Sequence, residues 1–178
     1  MRDHLIRCAA ALSLAVVAAG CDELFAPPFN ATGSFSGTWR TQDLSDMQVT
    51  GCPITFTLRH TISGDVLEST QVSGTVTLDF SCFELAQSLI DFGILEIGTL
   101  EVEGYVLPGG TMELHTKDLF SCSGNECFRF VALGIGADSD GDGGLDGFEG
   151  DWDALAMLGG VAPFPLNGNF AVMLAAEE

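Results

Sequence analysis

From Ser34 onward, large apolar residues recur at every second position along most of the chain. Phe35, Gly37 and Trp39 alternate with Ser36, Thr38 and Arg40, and Ile54, Phe56 and Leu58 with Thr55, Thr57 and Arg59. Val76, Leu78 and Phe80 alternate with Thr75, Thr77 and Asp79. The same phase returns in Leu100, Val102 and Val106, in Met112 and Leu114, in Phe128 and Phe130, and in Phe170, Val172 and Leu174. A period of two sends successive side chains to opposite faces, so each run predicts a strand with one face on a core and the other toward water or a partner. Ser63-Gly64-Asp65 and Pro108-Gly109-Gly110 supply turns between runs. Only Phe83 to Asp91 carries a helical period, with Leu85, Ala86, Leu89 and Ile90 on one side and Gly93 as a stop.

A loose repeat runs through these strands. Phe35-Ser-Gly-Thr-Trp39, Val72-Ser-Gly-Thr-Val76, Val102-Glu-Gly-Tyr-Val106, Phe148-Glu-Gly-Asp-Trp152 and Leu166-Asn-Gly-Asn-Phe170 each set a glycine between two large apolar residues. Glycine inside a strand marks a bend, a bulge or a close backbone approach, and a sheet needs such bends to close on itself. The spacing is too uneven for a solenoid. The expected fold is mainly β: an antiparallel up-and-down barrel, or a strongly curved meander of about eight strands, with one short helix. A two-sheet sandwich is the competing architecture. Gly37-Thr38-Trp39 resembles the Gly-x-Trp signature of lipocalins and related calycin barrels, which implies a barrel able to carry a small apolar ligand; an aromatic that simply fills a core accounts for Trp39 as well.

Composition and charge narrow the classes. The formal charge is −19, and beyond the first twenty residues Arg40, Arg59, Lys117 and Arg129 are the fixed cations. Such a surface repels phosphate backbones and anionic headgroups, so no nucleic-acid partner is expected. With 47% hydrophobic residues, including thirteen Phe, the acidity belongs to a folded domain and not to a disordered tail.

The N-terminal stretch reads as an export signal. Met1 to Arg7 is short and basic, Cys8 to Ala19 is apolar, and small residues lead to Cys21. The apolar run is too short for a bilayer core, which needs roughly 20 residues. Val16-Val17-Ala18-Ala19-Gly20-Cys21 resembles the lipobox of bacterial lipoproteins, which implies cleavage before Cys21, lipid on that cysteine, and anchoring in the bacterial cell envelope. Ordinary signal-peptidase cleavage after Gly20 is the alternative. The expected division is a signal peptide at 1–20, a flexible lipid-anchored tether at 21–33, and a single β domain at 34–178. A dozen extended tether residues would reach about 40 Å. With Cys21 lipidated and Cys8 removed, Cys52, Cys82, Cys122 and Cys127 remain to form disulfides in an oxidising compartment. Cys122-Ser-Gly-Asn-Glu-Cys127 looks like a tight hairpin with bridged ends, which leaves Cys52 with Cys82. Zinc is disfavoured by the lack of a Cys-x-x-Cys and of spaced histidines.

One stretch carries readable chemistry. Asp138, Asp140, Asp142, Asp146 and Glu149 occupy the first, third, fifth, ninth and twelfth places of a twelve-residue loop, with Gly143 sixth and Leu145 eighth. Calcium takes six to eight oxygens at about 2.3 to 2.6 Å, so a chain must fold tightly around it. The pattern resembles the calcium loop of EF-hands and thrombospondin type 3 repeats. That likeness implies side-chain oxygens from Asp138, Asp140, Asp142, Asp146 and Glu149, a carbonyl from Gly144, and a sharp turn at Gly143. Strand-like flanks and Gly147 and Gly150 at the exit exclude a helix-opening sensor. A solvated acidic loop without an ion is the plainer alternative.

Catalysis finds little footing. His60 sits at a strand end, His115 falls on a polar parity, Glu101 and Glu103 share a solvated face, and no nucleophile elbow or phosphate loop is present. The expectation is therefore a non-enzymatic envelope lipoprotein with structural Ca2+, anchored to the membrane through its N-terminal lipid and acting on an envelope protein. A lipocalin-like carrier of a small apolar ligand is the alternative, and an envelope hydrolase a more remote one.

Overall fold

Nine strands make up the described part of the computed structural model, which covers residues 26–41, 51–61, 70–79, 98–123, 126–157 and 163–176. They are β1 (Gly33–Thr41), β2 (Cys52–His60), β3 (Gln71–Leu78), β4 (Thr99–Val106), β5 (Thr111–Thr116), β6 (Ser121–Ser123), β7 (Glu126–Ala137), β8 (Gly147–Met157) and β9 (Phe164–Leu174). Each pairs antiparallel with its neighbour, β5 with β7, and β9 returns to β1. The result is a closed eight-stranded barrel, with β6 a short arm folded onto β7. Closure gives each of the eight barrel strands a partner on both sides. The barrel is what the meander of alternating runs predicts, and the sandwich is not formed. The leader, Cys21, Ser63 to Asp65, Cys82 and the helix expected at Phe83 to Asp91 lie outside the described residues.

Alternation places the core. In β2, Cys52, Ile54, Phe56, Leu58 and His60 are buried while Pro53, Thr55, Thr57 and Arg59 face out. Phe35, Trp39, Val76, Leu100, Val102, Val106, Met112, Leu114, Phe130, Trp152 and Val172 complete the same inward parity. Leu174 departs from it: at the last position of β9 it is 47% exposed, because it has passed the rim and lies over Gly33.

Rings occupy the interior. Trp39 meets Trp152 edge to face at 5.2 Å, Phe148 meets Phe170 at 4.6 Å, and Phe56 packs against Phe148 and Phe170 at 5.4 and 5.7 Å. Edge-to-face pairs of this kind add about 0.5 to 1.5 kcal/mol each beyond the area they bury. The Trp152 indole N–H donates to the Arg40 carbonyl at 3.1 Å, so its polar atom is satisfied inside the wall. Trp39 acts as a core plug.

The five repeated glycines share one steric role. Gly37, Gly74, Gly104, Gly150 and Gly168 all stand on the inward parity, and a Cβ on each would fall on the carbonyl oxygen of Ala171, Thr57, Glu113, Leu133 and Arg40 respectively. Neighbouring backbones approach too closely there for any side chain, which lets the strands coil tightly enough to close. Of the bend, bulge or close approach that glycine in a strand implies, the structure realises the close approach.

Turns and cysteines follow the sequence. Leu107 to Gly110 closes β4 to β5, with Gly110 at φ +80° and its N–H on the Leu107 carbonyl at 2.9 Å. Cys122 and Cys127 face each other across the β6–β7 hairpin, their Cα atoms 4.0 Å apart, and are disulfide-bonded. Cys52 is buried and also disulfide-bonded, and Cys82, its expected partner, lies outside the described residues.

Gly104→Ala should lower the urea-derived unfolding free energy by about 3 kcal/mol, the upper end for overpacking, because the clash is with backbone. Gly98→Ala, which meets nothing within 4 Å, should stay within about 0.5 kcal/mol. Replacing Cys122 and Cys127 together by Ser should cost about 2 kcal/mol, as expected for so short a closed loop.

Candidate functional site

Antiparallel order brings the N-terminal segment, the Leu107 to Gly110 turn, the 138–146 loop and the end of β9 to one rim of the barrel. The acidic loop sits there as a hairpin between β7 and β8. Asp146 N–H bonds the Ala137 carbonyl at 2.9 Å, closing its base, and the Asp146 carbonyl accepts the Leu174 N–H at 2.7 Å. Gly141 and Gly143 adopt φ of +78° and +86°, a region that favours glycine, so Gly143 makes the expected sharp turn.

Aspartates wrap the loop around itself. Asp138 accepts the Gly141 N–H at 2.8 Å on one oxygen and the Gly143 N–H at 2.9 Å on the other. Asp140 accepts from Asp142 N–H at 3.1 Å, Asp142 from Gly144 N–H at 2.7 Å, and Asp146 from Ser139 N–H at 2.6 Å. These bonds turn carboxylates inward and bring oxygens of Asp138, Asp140 and Asp146 within 4.8 Å of one another. At that separation each pair of charges repels by about 1 kcal/mol in water-like surroundings and about 3.5 kcal/mol at an effective dielectric near 20. A divalent cation would remove that cost.

The remaining expected ligands are placed differently. Asp142 accepts the Gly144 N–H, as the triad carboxylates accept their own loop N–H groups, but it is not part of the close triad. Glu149 is also outside it: it lies in β8 on the outer wall, opposite Ile135 and Ala171. The strand begins at Gly147, and its pleat carries the twelfth loop position away along the barrel. Gly144 sits in an isolated parallel bridge with Asn30.

That bridge alters the reading of the tether. Asn30 N–H bonds the Gly143 carbonyl at 2.8 Å, and Leu145 N–H bonds the Asn30 carbonyl at 3.0 Å. Phe29, Ala31 and Leu145 are all buried, and a Cβ on Gly136 would strike both the Phe29 ring and Leu145. His60 Nδ1 accepts the Ala31 N–H at 3.1 Å, and Thr32 Oγ1 accepts the His60 N–H at 3.0 Å. The imidazole is therefore unprotonated at Nδ1. The packed domain starts before residue 34: Phe29 to Thr32 form a strap across the rim, clamped by the acidic loop on one side and by β2 on the other. Sequence periodicity missed it because a strap of this length has no period, although an apolar Phe29 between Pro28 and Asn30 was the available signal.

His115 and Lys117 belong to neither the loop nor the strap. His115 is half-buried with Nδ1 3.0 Å from the Thr116 carbonyl. Lys117 and Glu101 form an exposed ion pair at 3.1 Å, and that hydrogen bond and charge raise the Lys117 pKa.

No protein-family model and no curated protein matches the chain. Among solved structures, it is similar to the crystal structure of Rv2717c from M. tuberculosis at 10% identity and a TM-score of 0.30, covering 82% of this chain and 92% of that one. So loose a likeness transfers neither activity nor ligand.

His60→Leu should leave the buried Ala31 N–H without its acceptor, at about 1 to 3 kcal/mol. The expected readout is faster hydrogen exchange at Ala31 and Leu145 than in the barrel strands. Unchanged protection at both would show that His60 does not hold the strap.

Proposed function

We propose that this chain is a lipid-anchored β-barrel of the bacterial cell envelope, stabilised by Ca2+ in the 138–146 loop and serving as a binding or structural module without catalytic activity. The observation that carries the reading is the clamp between the acidic loop and the strap. The triad of Asp138, Asp140 and Asp146 belongs to the same hydrogen-bonded unit as Asn30, and Asn30 lies nine residues after Cys21. Bound Ca2+ would offset two of the three negative charges of Asp138, Asp140 and Asp146, and the stiffened loop would hold the strap against the barrel through the backbone bonds of Gly143 and Leu145. Asp138, Asp140 and Asp146 supply side-chain oxygens; with Asp142 and Glu149 outside the triad, water and backbone carbonyls complete the shell, in keeping with a modest affinity.

Lipid on Cys21 gives this arrangement a direction. From Cys21 to Phe29 the chain can extend at most about 26 Å at roughly 3.3 Å per residue. The rim bearing the acidic loop is then the membrane-proximal end, and the disulfide end points away. A lipocalin-like carrier of a small apolar ligand shares the barrel and is the second reading; its ligand would pack against the buried Trp39, Trp152, Phe56 and Phe130 rings.

Thermal melts test the metal. With a dissociation constant of about 10⁻⁴ to 10⁻³ M, 10 mM calcium adds about 1.4 to 2.7 kcal/mol, a rise in Tm of about 3 to 10 °C over chelator. Asp140→Asn, which keeps an oxygen for the Asp142 N–H, should abolish most of the shift; an unshifted wild type rules calcium out. Intact mass of the membrane fraction tests the anchor, since an unmodified Cys21 there is incompatible with it.

A further inference from the structure

The outer wall of the barrel carries a feature independent of loop and anchor. Two outward rows cross four adjacent strands in register: Ile135, Glu149, Ala171 and Thr38 in one, Leu133, Asp151, Asn169 and Arg40 in the next. Between them runs an inward row in which Gly134 of β7 pairs with Gly150 of β8. A Cβ on either glycine would fall on backbone of the opposite strand, so the strands coil sharply at this level. The outer face opens there into a groove of about 730 Å³.

Its walls alternate in chemistry. Leu133 and Ile135 are 52% and 65% exposed and stand next to each other on the outward parity of β7. Each is the cross-strand partner of a carboxylate, Leu133 of Asp151 and Ile135 of Glu149. Glu113 is the other neighbour of Leu133, and Asp153 follows two residues after Asp151 on the same outward parity. Arg40, beyond Asn169, is the cation on the far wall.

We infer that this groove binds an extended peptide segment of a protein partner that carries Lys or Arg beside apolar residues. A lysine or arginine lays its aliphatic stem on Leu133 or Ile135 and sets its charge against Asp151 or Glu149. Thr38 and Asn169 offer hydrogen bonds to the peptide backbone, and Arg40 donates to its carbonyls. The four strands span about 14 Å at roughly 4.8 Å per interval, the reach of about four or five extended residues. Charge complementarity selects the occupant: a basic segment is drawn to this wall, while a second copy of a chain with charge −19 is repelled from it.

Fluorescence anisotropy at about 150 mM salt, with a labelled hexapeptide of alternating Lys and Leu, tests the inference. The expected result is saturable binding that Leu133→Ser with Ile135→Ser weakens at least tenfold, and that Glu149→Gln with Asp151→Asn weakens likewise. The control Glu101→Gln with Asp118→Asn, equal in charge and remote from the groove in sequence register, should change affinity less than twofold. All these positions face outward, and thermal melts confirm that each variant is folded. Four outcomes overturn the inference: no binding, equal loss in the control, equal binding of the Glu–Leu counterpart, or sedimentation showing a dimer of the protein that the Leu133 and Ile135 changes dissolve.

Discussion

The close approach of backbone to backbone at inward-facing glycines is the constraint on which the barrel depends. At Gly37, Gly74, Gly104, Gly150 and Gly168 a neighbouring carbonyl oxygen stands where a Cβ would be. Without those five contacts the strands could not coil tightly enough for β9 to meet β1 and β5 to meet β7. Inside the coiled wall, the rings of Trp39, Trp152, Phe56, Phe130, Phe148 and Phe170 pack against one another. Glycine and aromatic positions are thus two halves of one packing solution: where the wall comes in, the side chain vanishes, and where the wall stands off, a Trp or Phe occupies the space.

Among the described residues, the rim and the outer wall each carry a built feature. At the rim, the strap from Phe29 to Thr32 is held by backbone bonds to the acidic loop and by His60, so the start of the domain and the loop form one cooperative unit. On the wall, the Gly134 and Gly150 pair that sharpens the coil also opens the groove between Ile135 and Arg40. The same steric device therefore closes the barrel and shapes its surface.

Much of the fold was legible along the chain, and the reason differs by element. Parity alone identified the buried residues of β2, since Cys-Pro-Ile-Thr-Phe-Thr-Leu-Arg-His alternates without fault. The Cys122 to Cys127 hairpin was legible because its bridge is local. The groove was not: Phe130-Val-Ala-Leu-Gly-Ile135 reads as a continuous apolar run, and only the phase carried over from Phe128 and Phe130 shows that Leu133 and Ile135 point outward. In the acidic loop, spacing foresaw the turn at Gly143 and the gathering of Asp138, Asp140 and Asp146. Glu149 stands apart from that triad, on the outward parity of β8, and the pleat of the strand sets its direction.

What the sequence by itself determined is everything of short range: strand parity, glycine spacing, turn chemistry, cysteine pairing across a hairpin, and the carboxylate rhythm of one loop. These are properties of a few neighbouring residues and their allowed conformations, and neighbours are all a sequence displays. Tertiary structure alone decided that the sheet closes, that its aromatic rings meet one another inside, that Phe29 to Thr32 packs as a strap across the rim, and that Glu149 lies on the outer wall. Each of those depends on contacts between residues far apart in the chain, such as Asn30 with Gly144 and Ala31 with His60. Which such contacts form is settled by how the whole barrel packs, and no local pattern encodes that.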